Sequence, residues 1–429
     1  MMLWANTNLH FVLVGTTLFG FSAGVLGCFA FLRKRSLIGD ALAHAALPGV
    51  CIAYLLTGTK VQGVLILGAL GSGLIASYIL NAIVRHSRIK EDAAIGLVLS
   101  VFFGIGIMLL THIQHLPMGN QSGLDKFLFG QAASLIGKDL YLFGGLAAAV
   151  ITVTFLAYKE FKVIAFDPGY AETIGIPVRR MDVLLTLLIV TVVTAGLQAV
   201  GVVLMAAMLI TPAAAARQWT NQLWRMLLLA GIFGAVAGSA GAIASAVAPR
   251  MPTGPWIVMA ITAIFVVSIV FAPQRGILAR VLRQFRNATR IQQENVLKTL
   301  YRLMEDAPQS TPTVDMVRRY RHLSIRRTLH LLKRLQRMGF VSEGTRPEEW
   351  LLTADGRTRA EALVRRHRLW EVYLTQYLQL GKGHVHADAE EIEHVLTPEL
   401  EQELEALLGY PVQDPHARPI PYSRDGGPK

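Results

Sequence analysis

Asp40 and His44 stand four residues apart in SLIGDALAHAALPGV (36–50), a stretch with no other ionisable side chain. On a helix this spacing puts both on one face, about one turn apart. An ionisable group inside a bilayer is costly unless it faces a partner or a polar cavity, so such residues point to function. A carboxylate beside an imidazole is a donor pair that a divalent first-row cation accepts. The structural alternative is that Asp40 caps the helix after Ser36 while His44 bonds a neighbouring carbonyl. A second group of the same chemistry lies far downstream: His367 and Glu371, then His386, Glu390, Glu393 and His394. His367 with Glu371, Glu390 with Glu393, and Glu390 with His394 all have same-face helical spacing. Nitrogen and oxygen donors without sulfur suit Mn(II), Fe(II) or Zn(II) better than Cu(I). Each residue alone reads as part of a solvated face; the set reads as a metal site. Asp125, ahead of the apolar FLFG, and His112 and His115 with Met118 are external-loop candidates for meeting a metal, or are simply solvated.

The elements that must carry the first pair are membrane spans. A helix needs about 20 apolar residues to cross ~30 Å of hydrocarbon. Such runs fall at 9–32, 37–56, 62–84, 93–111, 139–158, 182–199, 200–216, 222–248 and 254–272, giving nine expected spans. The division between the sixth and seventh rests on a tight reversal at 198–201. Loops rich in Lys and Arg stay in the cytoplasm. Alternating nine spans places Arg33-Lys34-Arg35, 85–90, 159–180, 217–225 and everything after Arg275 on one side, against Lys60, Lys126, Lys138 and Arg250 on the other. The N-terminus is therefore expected outside and the C-terminal part in the cytoplasm, in a bacterial cell membrane. The N-terminus lacks the basic flank and small-residue cleavage site of a secretory signal, so the first run is expected to be a retained span. Cys28 and Cys51 lie in apolar runs without paired spacing and are expected to be packing residues.

Beyond about Ile291 the chain changes character. Up to Arg280 it has 18 Lys/Arg against 9 Asp/Glu; 281–346 has 14 against 5, and 347–429 has 9 against 15, so a basic module precedes an acidic one. ENVLKTLYRLME places Val296, Leu297, Leu300 and Leu303 on one helical face, and SIRRTLHLLKRLQRMG turns Leu329, Leu332 and Leu335 inward. GFVSEG and EEWLLT then read as a two-stranded wing ahead of TADGRTRAEALVRRHRLWEVYLTQYL. The fold expected is an all-α polytopic membrane domain over 1–280, a winged helix over 281–353, and a helical metal-binding and dimerisation domain over 354–429. Arg326, Arg327, Lys333, Arg334 and Arg337 would give the recognition helix a basic outer face, the electrostatic footprint of nucleic-acid binding. Attraction to anionic lipid headgroups beside the membrane, or plain solvation, explains the same charges.

Four stretches carry a family resemblance. SLIGDALAHAALPG resembles the signature of permease subunits of ABC importers for manganese, zinc and iron. AFDPGYAETIGIPVRRMD (165–182), VGVVLMAAMLITPAAAA (200–216) and PTGPWIVM (252–259) resemble the same family in the same order. The resemblance implies that Asp40 and His44 line the metal route, for which Asp125 is a further candidate. The charged segment 159–180 can form a short helix started at Asp167-Pro168 and stopped at Gly175, or be an ordinary solvated loop. The resemblance makes it the coupling helix, with Asp167, Pro168, Tyr170, Ala171 and Gly175 docking into a cytoplasmic ATPase subunit. No GxxxxGK[ST] loop occurs in the chain, so no bound nucleotide and no ATP hydrolysis are expected of it. An extracytoplasmic metal-binding protein and a second permease copy are the other partners implied.

Residues 291–421 resemble the metal-dependent repressors of the diphtheria-toxin-repressor type through RRHRLWE, HVHADAEEIEHVLTPE and DPHARPIP. This implies that His367, Glu371, His386, Glu390, Glu393 and His394 are metal ligands. Glu390 stands where iron-type members carry cysteine and manganese-type members glutamate, which favours manganese over iron or zinc. Two departures stand out. Acidic ligand positions of the manganese-type first helix correspond here to Asn295 and Lys298, and a protonated lysine does not coordinate, so at least one site is incomplete or rebuilt. Leu331 falls near where a base-reading polar residue is expected, which counts against DNA reading.

Overall fold

The computed structural model describes residues 7–59, 61–116, 137–199, 201–247, 253–381, 389–390, 392, 394 and 396–422. The chain divides into two compact units, 1–280 and 281–429.

The first unit is helical throughout its described length, with α1 (Thr7–Leu32), α2 (Ile38–Thr57), α3 (Gln62–His86), α4 (Glu91–His115) and α5 (Gly137–Leu156) in succession. Two short helices follow, α6 (Tyr158–Phe166) and α7 (Pro168–Thr173), and then α8 (Val178–Ala199), α9 (Val202–Trp219), α10 (Leu223–Val247) and α11 (Thr253–Phe271). Among the described residues seven helices are long and apolar enough to cross a membrane, two fewer than the nine expected. Beside these seven, the described part of α5 has an apolar stretch at Phe143–Leu156, and α9 is an apolar helix with Pro212 within it and Arg217 in its last turn. The expected break at 198–201 is present: α8 ends at Ala199, α9 begins at Val202, and Gly201 between them has φ +90°. Glycine reaches that region without a Cβ clash.

Helix α2 packs against α3, α4, α8 and α9. Every residue from Ile38 to Tyr54 is buried except Asp40, His44 and Ile52. Small residues permit this enclosure, as expected where lipid supplies no hydrophobic drive between helices and close packing must do so. A Cβ on Gly49 would lie 2.1 Å from the carbonyl oxygen of Gly68 on α3, so the two backbones touch there. Ion pairs fix the turn before α2. The guanidinium of Arg33 donates to both carboxylate oxygens of Asp182 in the first turns of α8, at 2.6 and 3.1 Å. Arg35 Nε lies 2.6 Å from Glu91 Oε1 at the start of α4. Acidic side chains are favoured at helix N-termini, where the backbone dipole is positive, so these carboxylates serve two partners. Cys28 and Cys51 are both free and buried.

The second unit begins within α12 (Ile277–Asp306) and continues through α13 (Val314–Arg321) and α14 (Ile325–Arg337) to a hairpin of β1 (Val341–Glu343) and β2 (Trp350–Leu352). The strands pair antiparallel, Val341 opposite Leu352 and Glu343 opposite Trp350. Three helices and a two-stranded wing make a winged helix. Its core gathers Val296, Leu297, Leu300, Val317, Leu331, Leu332, Leu335 and Trp350. The chain then forms α15 (Ala354–Gln376) and α16 (Pro398–Leu407). Threonines start three of these helices. Thr313, Thr353 and Thr397 accept hydrogen bonds from the amides of Met316, Gly356 and Leu400, filling donors that the helix leaves open.

Candidate functional site

His44 Nε2 lies 3.4 Å from Asp40 Oδ1 on the face of α2. The two side chains are 14% and 30% exposed, so the pair is reachable but mostly enclosed. The ring of His44 meets Phe103 of α4 edge-on, with centroids 4.8 Å apart, which fixes its plane. Its other nitrogen, Nδ1, is buried with no hydrogen-bond partner among the described residues. The capping alternative finds no support in this geometry. Leu37 is the N-cap, with no side-chain cap bond, and Asp40 sits in the first turn facing His44. A carboxylate, an imidazole and an orphaned ring nitrogen suit transient contact with a divalent cation better than a purely structural role. Asp125 and Met118 lie outside the described residues, while His112 and His115 close the last turn of α4.

The second candidate surface is α7. Asp167 is its N-cap, with Oδ1 accepting from Tyr170 N at 2.9 Å, and Pro168 occupies the first turn. Gly175 ends the turn at φ +82° with open space around it, as a helix stop requires. Ala171 is wholly buried, so α7 is seated on its own unit. Three large apolar side chains are exposed at or beside it: Tyr170 on α7 at 57%, Phe166 at the end of α6 at 58%, and Ile174 just after α7 at 50%. The sequence reading did not single out Phe166 or Ile174. No helical period marks them, because the backbone is extended at Asp167, between Phe166 at the end of α6 and Tyr170 on α7.

In the second unit the expected ligands separate into two groups. His367 Nε2 and Glu371 Oε1 are 3.1 Å apart on α15, with side chains 0% and 2% exposed. The arginines of RRHRLWE are tied to other elements: Arg365 and Arg366 reach Glu401, and Arg368 reaches Glu305. His386 and Glu393 lie outside the described residues. Glu390 and His394 face α12 instead. His394 Nδ1 lies 2.8 Å from Glu294 Oε2, and Glu390 Oε1 is approached by Lys298 Nζ at 3.7 Å and contacted by Arg321. Burial alone would raise the Glu294 carboxyl, but the hydrogen bond to His394, the charge of Arg290 and the hydrogen bond from Arg359 prevail and hold it at about 2. Among the described residues no three His, Cys, Asp or Glu side chains converge on a point where a metal ion would fit. The His367–Glu371 pair suits a metal in donor chemistry; the surroundings of Glu390 do not, because cations already stand there.

The basic residues of the recognition helix, Arg326, Arg327, Lys333, Arg334 and Arg337, are all exposed on α14, with His330 in the same outward stripe. Leu331 does not interrupt that stripe. It is 2% exposed and belongs to the winged-helix core, so the expectation that it displaces a base-reading residue is corrected by the helical phase.

A partly enclosed carboxylate–imidazole pair among packed apolar helices, together with a seated α7 that exposes Tyr170, describes a membrane permease. The pattern of the ABC 3 transport family matches residues 6–272, and the chain belongs to that family. Behind it, residues 353–422 match the iron dependent repressor, metal binding and dimerisation domain. The chain is 45% identical over 376 residues to the manganese transport system membrane protein MntC of Bacillus subtilis, covering 88% of this chain and 86% of that one. It is 44% identical over 294 residues to the zinc transport system membrane protein TroC of Treponema pallidum, covering 68% and 98%. Among solved structures it resembles PsaBC from Streptococcus pneumoniae in complex with Fab, with a TM-score of 0.58 at 33% identity, covering 66% of this chain and 96% of that one.

Proposed function

We propose that this permease admits Mn(II), or a similar divalent cation such as Zn(II) or Fe(II), past Asp40 and His44 into the cell. The observation that carries the reading is the half-enclosed pair on an otherwise buried α2. The N-terminus lies outside and the fused tail in the cytoplasm, in keeping with the Lys and Arg bias of the loops. A separate ATPase subunit docks on α7 through Phe166, Tyr170 and Ile174, and an extracytoplasmic metal-binding protein delivers the cation. Two copies pair around the route. The tail is a regulator: metal taken up by His367 and Glu371, with His386 as the natural third donor, would draw two tails together and slow import. The test is uptake of radiolabelled Mn(II) and Zn(II) by cells whose own permease is deleted. Asp40→Asn and His44→Ala chains present in the membrane at normal amounts are expected to fail. Normal uptake of both metals by the double variant ends the reading.

The exposed basic stripe on α14 supports a second reading, a membrane-tethered regulator that binds DNA. Sequence-specific, metal-dependent retention of an operator fragment by the full chain would favour it. Weak retention with a steep loss at higher salt and no sequence preference would mark simple phosphate attraction.

A further inference from the structure

Lys298, Arg321, Glu390 and His394 form a cluster whose charges are already matched. Lys298 is wholly buried on α12, with Nζ 3.7 Å from Glu390 Oε1. The Arg321 guanidinium, at the end of α13, donates to the same carboxylate oxygen. It is held in place from three further directions: by Thr299 Oγ1 at 2.8 Å, and by the backbone and amide oxygens of Asn295 at 3.2 and 3.3 Å. His394 uses both ring nitrogens, with Nδ1 2.8 Å from Glu294 Oε2 and Nε2 3.3 Å from the Asn295 amide oxygen. Glu294 in turn accepts from Arg359 at 3.0 Å and Arg290 at 3.3 Å.

We propose that this cluster is a metal-independent lock, in which the Lys298 ammonium and the Arg321 guanidinium are the resident cations and no divalent ion binds at Glu390 or His394. Three features support it. A divalent ion seated on Glu390 Oε1 would stand in contact range of two positive charges, and like charges at that range repel strongly in a poorly hydrated interior. Neither cation can step aside: Lys298 has no exposed surface, and Arg321 is clamped by its other bonds. His394 offers no ring nitrogen to a metal while both are engaged. The lock therefore ties α12 and α13 of the winged helix to Glu390 and His394 at all metal concentrations, and any metal response of the tail falls to His367 and Glu371. That last clause rests on the regulatory reading above; the lock itself does not.

The test uses the full chain in detergent with Mn(II) as the only probe. Bound Mn(II) is counted by electron paramagnetic resonance for the wild type and for Glu390→Gln, and the two are expected to bind equally. A tenfold or larger loss of affinity in a folded Glu390→Gln chain, the scale seen when a ligand's support is removed, overturns the lock. A second measurement needs no variant. Acetylation of lysines followed by mass mapping should leave Lys298 unmodified in chelator and in Mn(II) alike, whereas Mn(II)-dependent labelling of Lys298 would show that metal displaces it and overturn the proposal. Failure of the regulatory reading is distinguishable, because there His367→Ala leaves Mn(II) binding unchanged whatever Glu390 does.

Discussion

The Nε2 of His44 lies 3.4 Å from Oδ1 of Asp40, one turn apart on a helix whose remaining residues up to Tyr54, Ile52 aside, are buried. A contact to a charged group contributes about 1.5–3 kcal/mol. Removing the carboxylate by Asp40→Asn, which keeps the shape, should therefore raise the metal concentration for half-maximal uptake about tenfold or more. His44→Ala should do the same and also free the Phe103 ring. Initial-rate uptake over a range of Mn(II) concentrations checks both. A capping role for Asp40 would instead lower the amount of folded permease and leave the concentration dependence unchanged.

Helix α7 separates a seated face from a presented one. Tyr170→Ser and Ile174→Ser alter only exposed apolar surface and should leave the thermal unfolding of the permease alone, while reducing copurification of the ATPase subunit and abolishing uptake. Asp167→Ala acts differently. It removes the cap on the Tyr170 amide, at a cost of about 1 kcal/mol, and should weaken coupling by fraying α7. Pull-down and uptake measured together separate the two effects.

Much of this was legible before any coordinates. Four-residue spacing in an apolar run put Asp40 and His44 side by side on one helix, as found, and Asp-Pro followed by glycine bounded α7 nearly to the residue. Two helices and the wing of the tail followed from the 3.6-residue period and a short reversal, whereas no stretch marked the eight-residue α13. What the sequence did not disclose were relationships across distance. Lys298 was visible as a misplaced cation, but its partnership with Arg321 on Glu390 joins residues far apart in the chain. Phe166 and Ile174 were hidden because apolar residues beside membrane spans are unremarkable until one knows that they face outward. Leu331 was misjudged by a fraction of a helical turn, an error that only the packed core of α14 resolves.

The close approach of α2 to α3 predicts intolerance at Gly49. A methyl group there would meet the Gly68 carbonyl, which is backbone and cannot rotate away. Gly49→Ala should cost about 1–3 kcal/mol, as overpacking of a filled interior does. Because the same helix carries Asp40 and His44, the shift needed to relieve the clash should also impair uptake. Thermal unfolding in detergent gives the first effect and uptake per folded molecule the second. Gly71 on α3, with no atom near its absent Cβ, is the control: Gly71→Ala should do neither.

Arg368 tests how the tail holds its C-terminal segment. Its side chain is 1% exposed and reaches Glu305 on α12, Asp414 beyond α16, and the Pro419 carbonyl. Breaking a buried ion pair from one side costs about 3–5 kcal/mol. The low end applies to Arg368→Met, since Glu305 is 24% exposed and can rehydrate, and Asp414 keeps the amides of His416 and Arg418 at 2.9 Å. At roughly 2–4 °C per kcal/mol for a domain of this size, the melting transition of the tail should fall by about 6–12 °C. Arg368→Lys should recover only part of the loss, because an ammonium cannot span carboxylates on two sides as a planar guanidinium does. Scanning calorimetry of the full chain, with the tail transition followed separately from that of the membrane unit, measures both. Equal stability of the Met variant would mean that neither ion pair of Arg368 adds net stability and that the C-terminal segment is held by Arg365 on Glu401 and the Pro421 carbonyl.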